Sequence, residues 1–152
     1  MQNSISDMTR PMVSVVMLTY NSAKTLPDAI KGVVHQKAPF DIELIISDDA
    51  STDRTMDVAR QWQEKYPDTI RIISNTTNLG LQKNYLKAIK NCTGKYLTMC
   101  DADDYWISSR KLAIQAGYME EHPDCNITFH RVINHYTDTG AKSLSNGHQQ
   151  TD

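Results

Sequence analysis

The chain has 152 residues, a size suited to one domain whose core needs no disulfide or metal to hold it. Its formal net charge is −2 and its Lys and Arg are scattered, which argues against the basic footprint of a nucleic-acid binder. The three cysteines, Cys92, Cys100 and Cys125, show no Cys-x-x-Cys spacing, and no stretch approaches the ~18 apolar residues of a membrane span. A disulfide framework and a zinc ribbon are therefore disfavoured, and a soluble, cytoplasmic protein is expected.

Residues 1–12 are polar, lack the apolar centre of a signal peptide and are expected to form a disordered leader. Val13 to Leu18 is a near-continuous apolar run, the habit of a strand covered on both faces, and it stops at Thr19-Tyr20-Asn21-Ser22. Leu26, Ala29, Ile30 and Val33 then follow helical spacing, predicting a helix from Thr25 to Gln36 with Thr25 as its cap and Gly32 as a weak point. A second strand, Ile42 to Ser47, ends in Asp48-Asp49-Ala50-Ser51-Thr52-Asp53. Met56, Ala59, Trp62 and Tyr66 mark a second helix, capped by Ser51 or Thr52 and closed by Pro67. Ile70 to Ser74 is a third strand. After an irregular stretch from Asn75 to Gly80, Leu81, Tyr85, Ala88, Ile89 and Cys92 predict a third helix ended by Gly94.

Tyr96 to Cys100 reads as a buried fourth strand that breaks into Asp101, Asp103 and Asp104. Ser108 or Ser109 then caps a helix carrying Leu112, Ala116 and Met119. Ile127 to Tyr136 is predicted as a further strand, turning at Asp138-Thr139-Gly140 into a weak return strand from Ala141 to Leu144. Residues 145–152 are expected to be a disordered tail, which leaves 13–144 as one domain.

Strands alternating with helices predict an α/β fold, a mainly parallel sheet with helices on both faces. Ligands of such sheets bind outside the carboxyl ends of the strands. Thr19-Tyr20-Asn21, Asp48-Asp49 and Asp101-x-Asp103 would all stand on that edge. In extended backbone, residues i and i+2 point to the same side, so Asp101 and Asp103 can converge on a hard cation, Mg²⁺ or Mn²⁺. The plain alternative is a polar turn after a strand. Neither Gly-x-Gly-x-x-Gly nor Gly-x-x-x-x-Gly-Lys-Ser/Thr occurs, so no glycine loop is available to cradle phosphate.

Taken together, Thr19-Tyr20-Asn21, the Asp48 to Asp53 run, Asn78-x-Gly80 with Lys83-Asn84, and Asp101-Ala102-Asp103-Asp104 resemble the successive signatures of the inverting family-2 glycosyltransferases of GT-A fold. The resemblance runs from about Val13 to Phe129. It departs at Ala50, where many relatives have Gly, and at Lys83, where many have Arg. Asp104-Tyr105-Trp106 resembles the subgroup acting on surface polysaccharides.

The resemblance implies a nucleotide-sugar donor, a UDP-sugar by preference, and a truncated GT-A, Rossmann-like sandwich. It implies that Thr19, Tyr20 and Asn21 line the nucleoside pocket, that Asp49 accepts from the base edge while Asp48 shapes the turn, and that Lys83 reaches the base. Asp101 would lie by the ribose and the metal's water shell, and Asp103 would bind the metal. It also places the general base and the site for a glycan or lipid-linked acceptor after the hairpin, where only a polar stretch to Asp152 follows, so the base is expected beyond Asp152. The chain alone is then expected to transfer no sugar, to expose a face through which it self-associates, and to work at the inner face of the membrane. Each residue keeps a plainer reading: Tyr20 packing over the first helix, Asp49 accepting from loop N–H groups, Lys83 solvated. Trp62 and Tyr85 read as core, and the five histidines as structural or exposed. Tyr20 and Asp49, at strand ends, are expected to be replaceable without loss of fold. A nucleotide-binding module without transferase activity stays open as the second reading.

Overall fold

The computed structural model describes residues 12–136 and 138–145, so the expectations for 1–11 and for 146–152, including the stretch that ends at Asp152, lie outside the described residues. Contacts divide the chain into two compact units, one ending at Gly117 and one beginning at Tyr118.

In the first unit four parallel strands, β1 (Val13–Thr19), β2 (Ile42–Asp48), β3 (Ile70–Ser74) and β4 (Tyr96–Met99), lie in the order β3-β2-β1-β4. The crossovers contain α1 (Leu26–Val34), α2 (Thr55–Lys65) and α3 (Leu81–Ile89), and α4 (Lys111–Glu121) follows β4. Val13, Val15 and Met17 share one face with Leu44, Ile46 and Ile70 and pack under α1, α2 and α4 through Leu26, Ile30, Ala59, Leu112 and Ala116. Val16, Leu18 and Ile45 face the other way, under Ala88 and Tyr85 of α3. Strand β1 is therefore buried at all seven positions, as its near-continuous apolar run predicts. Each such Val, Leu or Ile contributes roughly 1.5–3 kcal/mol on burial.

Several local expectations are corrected by packing. Among the described residues β4 is an edge strand bonded only to β1, and since α3 lies over β1 and β2, Leu97 and Met99 stay 45% and 40% exposed. Thr25 makes no cap bond, and neither Ser51 nor Thr52 caps α2; its first N–H donates instead to Asp53 Oδ1, 2.9 Å away. Leu81 projects into solvent, and Asn84 takes the buried place on that stripe. Gly94 does not end α3. A Cβ there would stand 2.6 Å from the Ser14 backbone nitrogen, so glycine is what lets β4 enter beside β1. Gly32 likewise makes room for Trp106, whose backbone nitrogen would be 2.8 Å from a Cβ. Gln36 caps α4 from across the fold: its Oε1 accepts from Leu112 N–H at 3.0 Å while its Nε2 donates to the Ser108 carbonyl at 2.7 Å.

In the second unit, only Ile133–His135 of the long predicted strand is extended and paired. This strand, β5, lies antiparallel to β6 (Lys142–Leu144), which realises the hairpin. Ile127 and Phe129 have no partner strand among the described residues and are exposed.

Candidate active site at the carboxyl edge of the sheet

Parallel register brings the ends of β1, β2 and β3 level, with Thr19 beside Asp48 and Asp48 beside Ser74. β4 stops lower, Met99 lying beside Val16, and Cys100 adds one more bond to the Val16 carbonyl before the chain turns. The three polar clusters thus share one edge.

The first two loops are zipped together. Asn21, in the left-handed region at φ 51°, takes the Thr52 N–H (2.8 Å) and the Asp53 N–H (3.3 Å) on its Oδ1 and donates its own N–H to Ser51 Oγ. Asp53 Oδ2 accepts from Ala23 N–H, and Thr55 Oγ1 from Ser22 N–H. Asp48, fully buried, accepts from Thr19 Oγ1 (3.0 Å) and from Ser51 N–H and Oγ, so it shapes the turn and takes Thr19 with it. Ala50 has φ 62°, a conformation glycine adopts without strain. In the Thr19-Tyr20-Asn21 triplet Thr19 is buried, while Tyr20, with 51% of its surface exposed, and Asn21 both lie at the surface. Thr19 and Asn21 anchor the loop on either side of Tyr20 through their bonds to Asp48, Ser51 and Thr52.

Asp49 is 5% exposed, and its carboxylate accepts three bonds: Asn75 Nδ2 (2.9 Å) and Leu79 N–H (2.8 Å) on Oδ1, and Gly80 N–H (2.9 Å) on Oδ2. Burial pushes its pKa up, but these donors and the Lys87 charge outweigh burial and hold it below the usual carboxylate range. Asp49 therefore ties the loop before α3 to the end of β2. Behind it lie Asn75, Asn84, Ser47 and Lys87; the sequence singled out Asn84 as part of a signature but gave none of the four a role. Asn84 stands four residues before Ala88 on the buried stripe of α3, so a polar residue in an apolar stripe was the available signal. Lys83 is exposed on the same helix.

Beyond β4 the backbone is not extended. Asp104 N–H donates to the Asp101 carbonyl at 3.0 Å, closing a turn over the buried Ala102, so strand alternation does not set where Asp101 and Asp103 point. The turn itself crowds the carboxylates: burial first, then the charges of Asp103 and Asp104, raise the pKa of Asp101. No ion pair reaches these three among the described residues. Cys100, pushed up to about 12 by burial and then by Asp104, is an inert thiol. Lys111 lies over the Trp106 ring, its Nζ 4.2 Å from the centroid, and burial lowers its pKa.

A sequence profile described as Glycosyl transferase family 2 matches residues 14–150. The chain belongs to that family. A Mycobacterium tuberculosis protein, Rv1520, described as uncharacterized, is 37% identical over 130 residues, covering 86% of this chain and 37% of its own length. The Pyrobaculum calidifontis mannosyltransferase PcManGT, solved with GDP-Man and Mn²⁺, superposes with a TM-score of 0.64 at 31% identity, over 70% of this chain and 31% of that one. S. aureus TarS (1–349) with UDP gives 0.65 at 31% identity, over 73% and 32%. The chain thus spans about a third of the length of these relatives. Its mainly parallel α/β sheet is that of a GT-A glycosyltransferase.

For this family-2 domain, the residues present suit a hard divalent cation. Asp101, Asp103 and Asp104 supply oxygen donors and a repulsion that a cation relieves. No group of three or more His, Cys, Asp or Glu among the described residues forms a ready-made cage. Mg²⁺-type sites often take only one or two carboxylates and complete their shell with ligand phosphates and water. No helix among the described residues is long and apolar enough to cross a membrane.

Proposed function

We propose that this edge binds a nucleoside-diphosphate sugar, a UDP-sugar first, through Mg²⁺ or Mn²⁺, as the donor-binding part of a transferase making surface polysaccharide or a related glycan. The observation carrying this reading is the crowded acidic turn after β4, on the same sheet edge as the exposed Tyr20 ring and the hydrogen-bonded Asp49. Tyr20 stacks on the base, Asp49 accepts from its edge, Lys83 lies within the reach of its flexible stem, and Thr19 and Asn21 hold the loop that carries Tyr20. Asp101 and Asp103 hold the cation, with Asp101 nearer the ribose. The cation, when bound, stabilises the charge that builds on the departing diphosphate. Asp101 and Asp103 would act on the diphosphate only by holding the cation against it, and Tyr20 shields the base from water.

The general base and the acceptor site, for a glycan or a lipid-linked glycan, belong to the part of the longer relatives that this chain does not match, in sequence corresponding to positions after Asp152. Work at the cytoplasmic face of a membrane fits a surface-glycan product. Self-association through the uncovered Leu97 and Met99 face of β4 belongs to the same proposal, and sedimentation showing a single monomer at all concentrations would remove it.

Thermal unfolding of the chain with UDP, GDP or CDP, with and without Mn²⁺, tests the core reading. Ligand at 100 times its Kd stabilises by about 2.7 kcal/mol, or roughly 5–10 °C here. Equal stabilisation in the presence of chelator removes the cation from the proposal. No stabilisation by any nucleotide removes the site.

A further inference from the structure

Lys87 Nζ donates to Asn75 Oδ1 at 2.6 Å. An ammonium has only donors, so this bond settles which end of the Asn75 amide is oxygen, and its NH₂ must turn to Asp49 Oδ1 (2.9 Å) and Asn84 Oδ1 (3.0 Å). The second amide is settled as well. Asn84 Nδ2 donates to the Ser47 carbonyl at 3.0 Å, and its oxygen accepts from Ser47 Oγ at 2.6 Å. Every buried side-chain polar atom among the described residues has a partner, so no slack remains for either amide to turn over. The network runs one way, from Lys87 to Asp49, and it can end only on an acceptor. An ionised carboxylate offers about four lone-pair positions. Leu79, Gly80 and Asn75 fill three of them, which leaves one acceptor position, on Oδ2.

We propose that Asn75, Asn84 and Lys87 are positioning residues that hold Asp49 as an acceptor-only reader of the base, selecting nucleotides whose ring presents an N–H, uracil or guanine, over cytosine and adenine. The inference rests on the nucleotide-binding reading above and adds to it the residues that set base choice. An N–H of uracil N3 or guanine N1 can donate to the open position on Oδ2. Cytosine N3 and adenine N1 carry a lone pair instead and would meet that oxygen lone pair to lone pair, which a site built to accept rejects strongly. The nucleotides held by the two structural neighbours, GDP-Man and UDP, are both of the N–H type.

The test is calorimetric titration of the full chain with UDP and with CDP, each with Mn²⁺, alongside Asn75→Asp and Lys87→Met. An Asp at 75 still accepts from Lys87 but has no NH₂ for Asp49, so two carboxylates face each other and one of them takes a proton. The wild type is expected to bind UDP at least about ten-fold more tightly than CDP. Asn75→Asp should lose about ten-fold or more in UDP affinity while CDP affinity holds or rises, so that the preference collapses. Lys87→Met should move the ratio the same way by roughly three-fold, because the Asn75 amide is then free to turn over. Lys87 lies half-buried on α3 and outside the apolar core, so this variant decides the matter if Asn75→Asp does not fold. A wild-type UDP-to-CDP ratio in a folded variant overturns the positioning role and leaves the nucleotide site standing. Equal binding of UDP and CDP by the wild type overturns base selection. A wild type that binds neither nucleotide overturns the site itself, and this inference with it.

Discussion

Asp49 and Asp101 are the same side chain at the same edge of the same sheet, yet their surroundings drive them apart. Burial raises both; at Asp49 the donors of Leu79, Asn75 and Gly80 win, while at Asp101 the neighbouring Asp103 and Asp104 add to burial. For Asp101 the larger neighbouring charge is Asp103, so Asp103→Asn should weaken Mn²⁺-dependent UDP binding well beyond Asp104→Asn, by about ten-fold against two-fold or less in a calorimetric titration. For Asp49 the structure corrects the expectation drawn from its strand-end position. Asp49→Ala leaves three donors without their acceptor and should cost about 3 kcal/mol, a fall of roughly 6–12 °C in Tm, with nucleotide binding lost as well. Glu43, 7% exposed in β2, is a third case, at the start of the strand and away from the site. Burial raises its pKa, but Ser14, the N–H and hydroxyl of Thr93, and the Arg71 charge together bring it below the ordinary 4.5. The folded chain thus binds this proton less readily than the unfolded one. Its stabilisation is present above about pH 4.5 and is lost as pH falls through the folded value. Glu43→Gln should be less stable at pH 7 by about 1–3 kcal/mol and should show a shallower loss of stability below pH 4.5 in acid-titration melts.

At the scale of elements, caps and close approaches matter more than propensity. Neither α1 nor α2 has a side-chain cap at the residue before its first turn, yet both hold because their buried faces pack on β1 and β2. The pairing of β4 with β1 depends on Gly94 passing within van der Waals range of Ser14. Gly94→Ala places a methyl 2.6 Å from one backbone atom and 2.9 Å from another, which no side-chain rotation relieves. About 1–3 kcal/mol should be lost, and hydrogen exchange should show the amides of Tyr96 and Cys100, which donate to the Met12 and Val16 carbonyls, opening ahead of those in β2. A melt within a degree of wild type would show that the strand shifts at no cost.

For the whole molecule, the residues proposed to hold donor and cation lie between Thr19 and Asp103, and the chain covers about a third of the length of PcManGT or TarS (1–349). The chain incubated alone with labelled UDP-sugars, Mn²⁺ and mixed acceptors should give no product above spontaneous hydrolysis, since a general base must lie within hydrogen-bond reach of the acceptor hydroxyl. Metal-dependent product would place that base within these residues. By itself the sequence determined the class of sheet, the four strands and the edge on which the polar clusters gather, because near-continuous apolar runs at Val13 and Ile42 and stripes at Ala29 and Ala88 are signals a chain cannot hide. It also marked Asp49 and Asp101 as candidates. Which residues stand behind them was decided in three dimensions. The bonds from Asn75 to Asp49 and between Asn84 and Ser47 span 26 and 37 positions, and the turn at Asp104 replaced the strand geometry assumed for Asp101 and Asp103. β4 became an exposed edge because nothing pairs beyond it among the described residues. Local pattern encodes periodicity and chain breaks; partners far apart in sequence meet only once the sheet has fixed its order.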